Sequence, residues 1–94
     1  MSKYNCSPGE PLDVLAEECA ELIQAIMKLY RFGPNGAPGY SGEKPREEIK
    51  REVGDVLAAI DRLIQSGFMN RGEALSACAA KHDRIEELFG ADNG

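Results

Sequence analysis

The chain has 94 residues, 43% hydrophobic and 29% charged, with a formal net charge of -5, three Tyr, three Phe and no Trp. That length suits one small domain, which buries a modest share of its surface and leaves self-association open. The negative balance argues against non-specific binding to nucleic acid polymers or an anionic membrane, because both demand a basic surface.

No segment approaches the roughly 20 apolar residues that span a bilayer, and MSKYNCSPGE holds no apolar run of signal-peptide length. The expectation is therefore a cytoplasmic protein without a membrane partner. Cys6, Cys19 and Cys78 are widely spaced and form no CxxC pair. They read as free thiols, with Cys19 and Cys78 as small core residues.

From Pro11 to Phe32 the apolar residues Leu12, Leu15, Cys19, Leu22, Ile23, Ile26, Met27 and Tyr30 recur at three and four, the spacing of a helix. Gly33 and Pro34 stop it. Two starts are open: a capping box of Ser7 with Glu10, or Pro11 as first helical residue. Residues 1–10 read as a leader.

Residues 33–44 are rich in Gly and Pro, and so long a connection without structure of its own is unusual in a small domain. A second helix spans Pro45 to Ser66, with Ile49, Val53, Val56, Leu57, Ile60, Leu63 and Ile64 on one face. Asn70 and Glu73 have the spacing of an N-cap and its return partner. The third helix runs from there to about Phe89, burying Leu75, Cys78, Ile85, Leu88 and Phe89. The expectation is one all-α domain over residues 1–94, an antiparallel bundle of three main helices completed by oligomerisation. Helices two and three should form a hairpin.

Acidic residues fall at particular places on this frame. At about 100° per residue, Glu18 lies just outside the apolar arc of the first helix and Glu21 further round, while Glu17 points away. On the second helix Glu52 abuts the apolar arc and Asp55 sits one step out. Packed side by side, the helices bring ExxE and ExxD to one point, where four carboxylates repel each other strongly. Oxygen-only ligands suit a hard cation, Mg2+ first and Mn2+ as a substitute. The competing reading is a solvated acidic flank, with Lys28 or Arg51 paired to these acids on the surface. Gly54 reads as a mark of close helix approach, since glycine weakens a helix.

EECAELIQAIMKLYRFG followed by REEIKREVGDVLAAIDRL resembles the MazG-like all-α nucleoside triphosphate pyrophosphohydrolases, strongly from about Leu15 to Leu63 and weakly through the third helix. The resemblance implies Mg2+-dependent hydrolysis of a nucleoside triphosphate, or a related nucleotide, to the monophosphate and pyrophosphate. It implies Glu18, Glu21, Glu52 and Asp55 as metal ligands and catalytic residues, and a homodimer or homotetramer. KHDR in the third helix offers Lys81 and Arg84 toward the phosphates. The Glu21 to Glu52 separation is long for the family, and the Gly/Pro loop accounts for the excess.

Lys28, two turns beyond Glu21, and Arg31, beside the loop, are further candidates for substrate binding. Tyr40 is a candidate to stack on a base, and His82 reads as a packed or interfacial residue. A second class of reading is a non-catalytic helical adaptor, or a nucleotide-binding protein without turnover. A diiron bundle would need Glu-x-x-His pairs, which the single His82 does not supply.

Overall fold

A computed structural model describes residues 10–90. It holds three helices, α1 (Pro11–Phe32), α2 (Pro45–Gln65) and α3 (Arg71–Phe89), and no strand among the described residues. Met1–Leu63 and Ile64–Gly94 form two compact units. Ser7 and Cys6 lie outside the described residues, and so does most of the leader.

The start of α1 resolves in favour of proline. Pro11 opens the helix, where its missing N–H is no loss, and Glu10 is the N-cap residue without a side-chain cap. The helix ends as glycine chemistry dictates: Gly33, at φ 81, donates its N–H to the Leu29 carbonyl at 2.7 Å.

The segment that follows has structure of its own, which corrects the expectation of a bare loop. Gly36 N–H donates to the Gly33 carbonyl at 3.2 Å and Tyr40 N–H to the Ala37 carbonyl at 2.8 Å, closing two successive turns. Pro38 then Gly39, at φ 83, are the residues a type II turn requires at its centre. The Tyr40 ring covers Gly36 and meets Phe32 at 5.5 Å between centroids, tilted by 53°. Arg46 N–H reaches back to the Pro34 carbonyl at 3.0 Å, tying the start of α2 to the end of α1.

In the first unit, Lys28 pairs with Glu48 while Glu18 stands by Glu52 and Asp55. The contacts run in opposite order along the two helices, so α1 and α2 are antiparallel. Ala25 of α1 and Pro45, Ala59 and Leu63 of α2 are buried, and so is Glu52. The buried set is small, and larger apolar residues stay open: Ile23, Met27 and Tyr30 on α1, Val53 and Leu57 on α2. Cys19 is exposed, contrary to expectation. Gly54 is also exposed, and a Cβ built there would meet nothing within 4 Å, so it marks no close approach.

In the second unit, α3 opens on the expected capping box. Asn70 accepts from Glu73 N–H at 2.8 Å and donates its own N–H to the Glu73 carboxylate at 2.9 Å. The expected burial does not follow. No residue of α3 is buried; Leu75, Ile85, Leu88 and Phe89 are 41–70% exposed and Cys78 is exposed. Apolar spacing defines the face a helix would cover, and says nothing of whether its own chain supplies the cover. His82 is likewise exposed.

Candidate metal centre

Two helix segments build the site. Glu18 stands in the first half of α1, and Glu52 and Asp55 stand one turn apart on α2, so both acids of α2 share a face. One carboxylate oxygen from each of Glu18, Glu52 and Asp55 lies within 4.8 Å of the others. Glu52 is only 3% exposed, Glu18 and Asp55 are half-buried, and Glu21 is exposed beside Glu18.

Two oxygens in this group have nothing to bond. Glu18 Oε2 and Glu52 Oε2 are both buried and without a hydrogen-bond partner. Leaving a charged acceptor dry costs more than an ordinary unmade hydrogen bond. The Glu18 carboxyl is accordingly held above the ordinary carboxylate range, by loss of solvent first and then by the charges of Glu21, Asp55 and Glu52.

Arg51 supplies a cation at the rim. Its Nη1 lies 2.8 Å from Glu52 Oε1 and donates to Asp55 Oδ2 at 3.4 Å. On its other edge, Nε donates to both oxygens of Glu43, at 3.1 and 3.3 Å, and Nη2 lies 3.1 Å from Glu43 Oε1. These contacts, Glu43 foremost, hold the guanidinium further above its ordinary pKa. From spacing alone Arg51 is only a surface partner for the acids. Its i, i+4 spacing to Asp55 was the available signal; nothing in the spacing pointed to Glu43.

The donor set fits a hard divalent cation. It is all oxygen, anionic, partly dry, and has two acceptors to spare. Oxygens facing each other across a magnesium ion stand about 4.2 Å apart, close to the span of the group.

The expected phosphate contacts are divided between the two units. Lys28 Nζ donates to both oxygens of Glu48, at 3.3 and 3.2 Å, pairing across the helices and not within α1. Arg31 lies over the Phe32 ring, 5.8 Å from its centroid. Tyr40, the candidate for base stacking, is occupied by Phe32 and Gly36. Lys81 and Arg84 are exposed on α3, in the other unit. A groove of about 290 Å³ runs along α1, lined by Ile23, Gln24, Met27, Lys28 and Arg31. No helix among the described residues is long and apolar enough to cross a membrane.

Helix-borne carboxylates gathered round two unpartnered oxygens define an all-helical acidic site of the kind that takes a hard cation. Residues 7–87 match the MazG nucleotide pyrophosphohydrolase domain, and the chain belongs to that family. No curated protein and no solved structure matches it. Members of the family act on nucleotides and typically depend on a divalent metal.

Proposed function

We propose that the chain is a Mg2+-dependent nucleotide pyrophosphohydrolase, with Mn2+ as a substitute ion. It cleaves a nucleoside triphosphate or a related nucleotide to the monophosphate and pyrophosphate. The observation that carries this reading is the pair of buried, unpartnered oxygens on Glu18 and Glu52, set within one group of carboxylates. A shared cation would satisfy both oxygens and offset the repulsion that raises the Glu18 carboxyl.

Glu18, Glu52 and Asp55 are the proposed holders of that cation, with Glu21 joining from the exposed flank. When bound, the cation offsets phosphate charge and makes water more acidic. The chain's own carboxylates orient the ion and exclude solvent on the side where Glu52 is buried. Lys28, Arg31, Lys81 and Arg84 are the proposed phosphate contacts. Lys28 would exchange Glu48 for phosphate, a strong acceptor of charge-assisted bonds. The exposed apolar residues of all three helices support a homodimer or homotetramer. A cytoplasmic setting fits the free thiols of Cys19 and Cys78.

Pyrophosphate release, measured over a panel of normal and modified nucleoside triphosphates with Mg2+, tests the reading. Glu52→Gln is expected to reduce turnover by more than the roughly 10–100-fold that loss of an outer-shell partner costs a metal site. Full activity in that variant would refute the site. Nucleotide binding without pyrophosphate release from any substrate would refute the hydrolase.

A further inference from the structure

Arg51 does more than decorate a helix surface. Its single guanidinium engages three carboxylates, and two of them, Glu52 and Asp55, belong to the group assigned to the cation. The third, Glu43, lies in the segment between α1 and α2 and grips the opposite edge with a two-point contact. Paired contacts of this fork geometry hold a guanidinium in orientation, which a single ammonium contact does not.

The contacts divide the guanidinium by role. Nη1 is committed to Glu52 Oε1 at 2.8 Å and Asp55 Oδ2 at 3.4 Å, whereas Nε and Nη2 are committed to Glu43. Glu52 is 3% exposed, so the charge that neutralises it has to come from a neighbour rather than from water. Lone pairs that accept from Nη1 are not free to ligate a metal. Glu52 Oε2 stays open to an ion, but a divalent ion and the Nη1 edge are two cations beside the same two carboxylates; they repel each other, so each weakens the other's hold. Glu43 gives the displaced guanidinium a place to stay, because its two-point grip does not involve the group.

We propose that Arg51 is a built-in counter-cation of this site: it occupies Glu52 and Asp55 in the metal-free chain, retreats onto Glu43 when a divalent ion enters, and thereby sets the ion affinity. The proposal rests on the metal-site reading above, and it makes Arg51 a positioning residue. Coupling of this kind is reciprocal, so whatever Arg51 takes from ion affinity, the ion takes from the Arg51 contacts. The ion then releases Nη1 beside the site, and its N–H groups are free to donate to a phosphate oxygen.

The test uses Mn2+ alone, without nucleotide, counted as free ion by electron paramagnetic resonance during titration of the full chain. Arg51→Ala is expected to tighten Mn2+ binding about fivefold, the order set by contacts of a guanidinium that is half in water. Arg51→Lys keeps the charge and loses the fork, so its affinity is expected between those of wild type and Arg51→Ala. Thermal unfolding gives a second readout. Arg51→Ala is expected to melt below wild type without metal and to close that gap at saturating Mn2+, whereas a purely structural anchor would lower both curves alike.

Unchanged or weaker Mn2+ binding in Arg51→Ala overturns the proposal, and so does wild-type affinity in Arg51→Lys, which would reduce the effect to net charge. Should Arg51→Ala fail to fold by circular dichroism, Arg51→Lys and Arg51→Gln carry the same comparison. Binding to wild type that is lost in Glu18→Gln but indifferent to Arg51 sinks the counter-cation and leaves the site standing. Absence of Mn2+ binding in wild type and Arg51→Ala alike sinks both.

Discussion

Glu18 on α1 and Glu52 on α2 bring carboxylate oxygens within 4.8 Å of each other, and in each the Oε2 atom is buried and bonds to nothing. Such an approach of two like charges is a liability in the metal-free chain and an asset once a cation is shared. The Glu18 carboxyl, raised from 4.5, lets the folded chain hold a proton that the unfolded chain releases. Stability without metal therefore falls as pH rises through the window above 4.5, since the native state binds more protons there.

Glu18→Gln is accordingly expected to melt above wild type at pH 7 without metal and to flatten the decline above pH 4.5. Saturating Mg2+ should raise the wild-type melting temperature and leave the variant's unmoved, because only the ionised carboxylate is a ligand. Calorimetry over a pH series, with and without Mg2+, checks both. A variant that melts below wild type without metal would show that Glu18 stabilises the fold, against this account.

Much of the frame is legible in the sequence. Gly33 with Pro34, and Asn70 with Glu73, mark helix ends through local backbone chemistry, and the helices end and begin there. The two acidic rims were legible because Glu18 and Glu52 fall where an apolar arc meets a polar one, and the helical period places them. Burial was not. Leu75, Leu88 and Cys19 sit at core-like spacing yet stay exposed, since spacing names a face and cannot supply its cover. Contacts set by the third dimension were equally hidden: Glu43 meets Arg51, and Lys28 meets Glu48, through the way the intervening turns bring α2 back along α1.

Gly54 is a weak point that the fold does not require. It sits inside α2 at ordinary helical φ, and an added Cβ meets open space. Gly54→Ala is expected to stabilise the metal-free chain by about 0.5–1 kcal/mol, raising its melting temperature by roughly 2–8 °C. A lower melting temperature would mean that another surface packs against Gly54 in solution.

Gly36 is the opposite case. Its φ of 80 disfavours any side chain, and a Cβ there would run into the Tyr40 ring. Gly36→Ala is expected to destabilise the chain by about 1–3 kcal/mol, the usual cost of a strained backbone position. Tyr40→Ala in the same background should recover part of the loss by removing the collision and leaving the φ penalty. Denaturant melts of the two single variants and the double variant read this directly, and additive losses would show that ring and glycine do not meet.

Lys28 and Glu48 form an ion pair that spans α1 and α2, with Nζ 3.2 Å from Glu48 Oε2, Glu48 12% exposed and Lys28 44% exposed. A partner half in water limits its worth, because the charges are screened and a long side chain must be held still. A double-mutant cycle of Lys28→Ala and Glu48→Ala is expected to give a coupling of about 0.2–1 kcal/mol in the free protein. The same cycle with substrate separates structure from phosphate binding. If Lys28 leaves Glu48 for a phosphate, Lys28→Ala raises KM, whereas Glu48→Ala, which frees the ammonium, lowers it. Equal rises in KM from both variants would mean that the pair acts only by holding the helices together, and Lys28 would drop out of the substrate contacts.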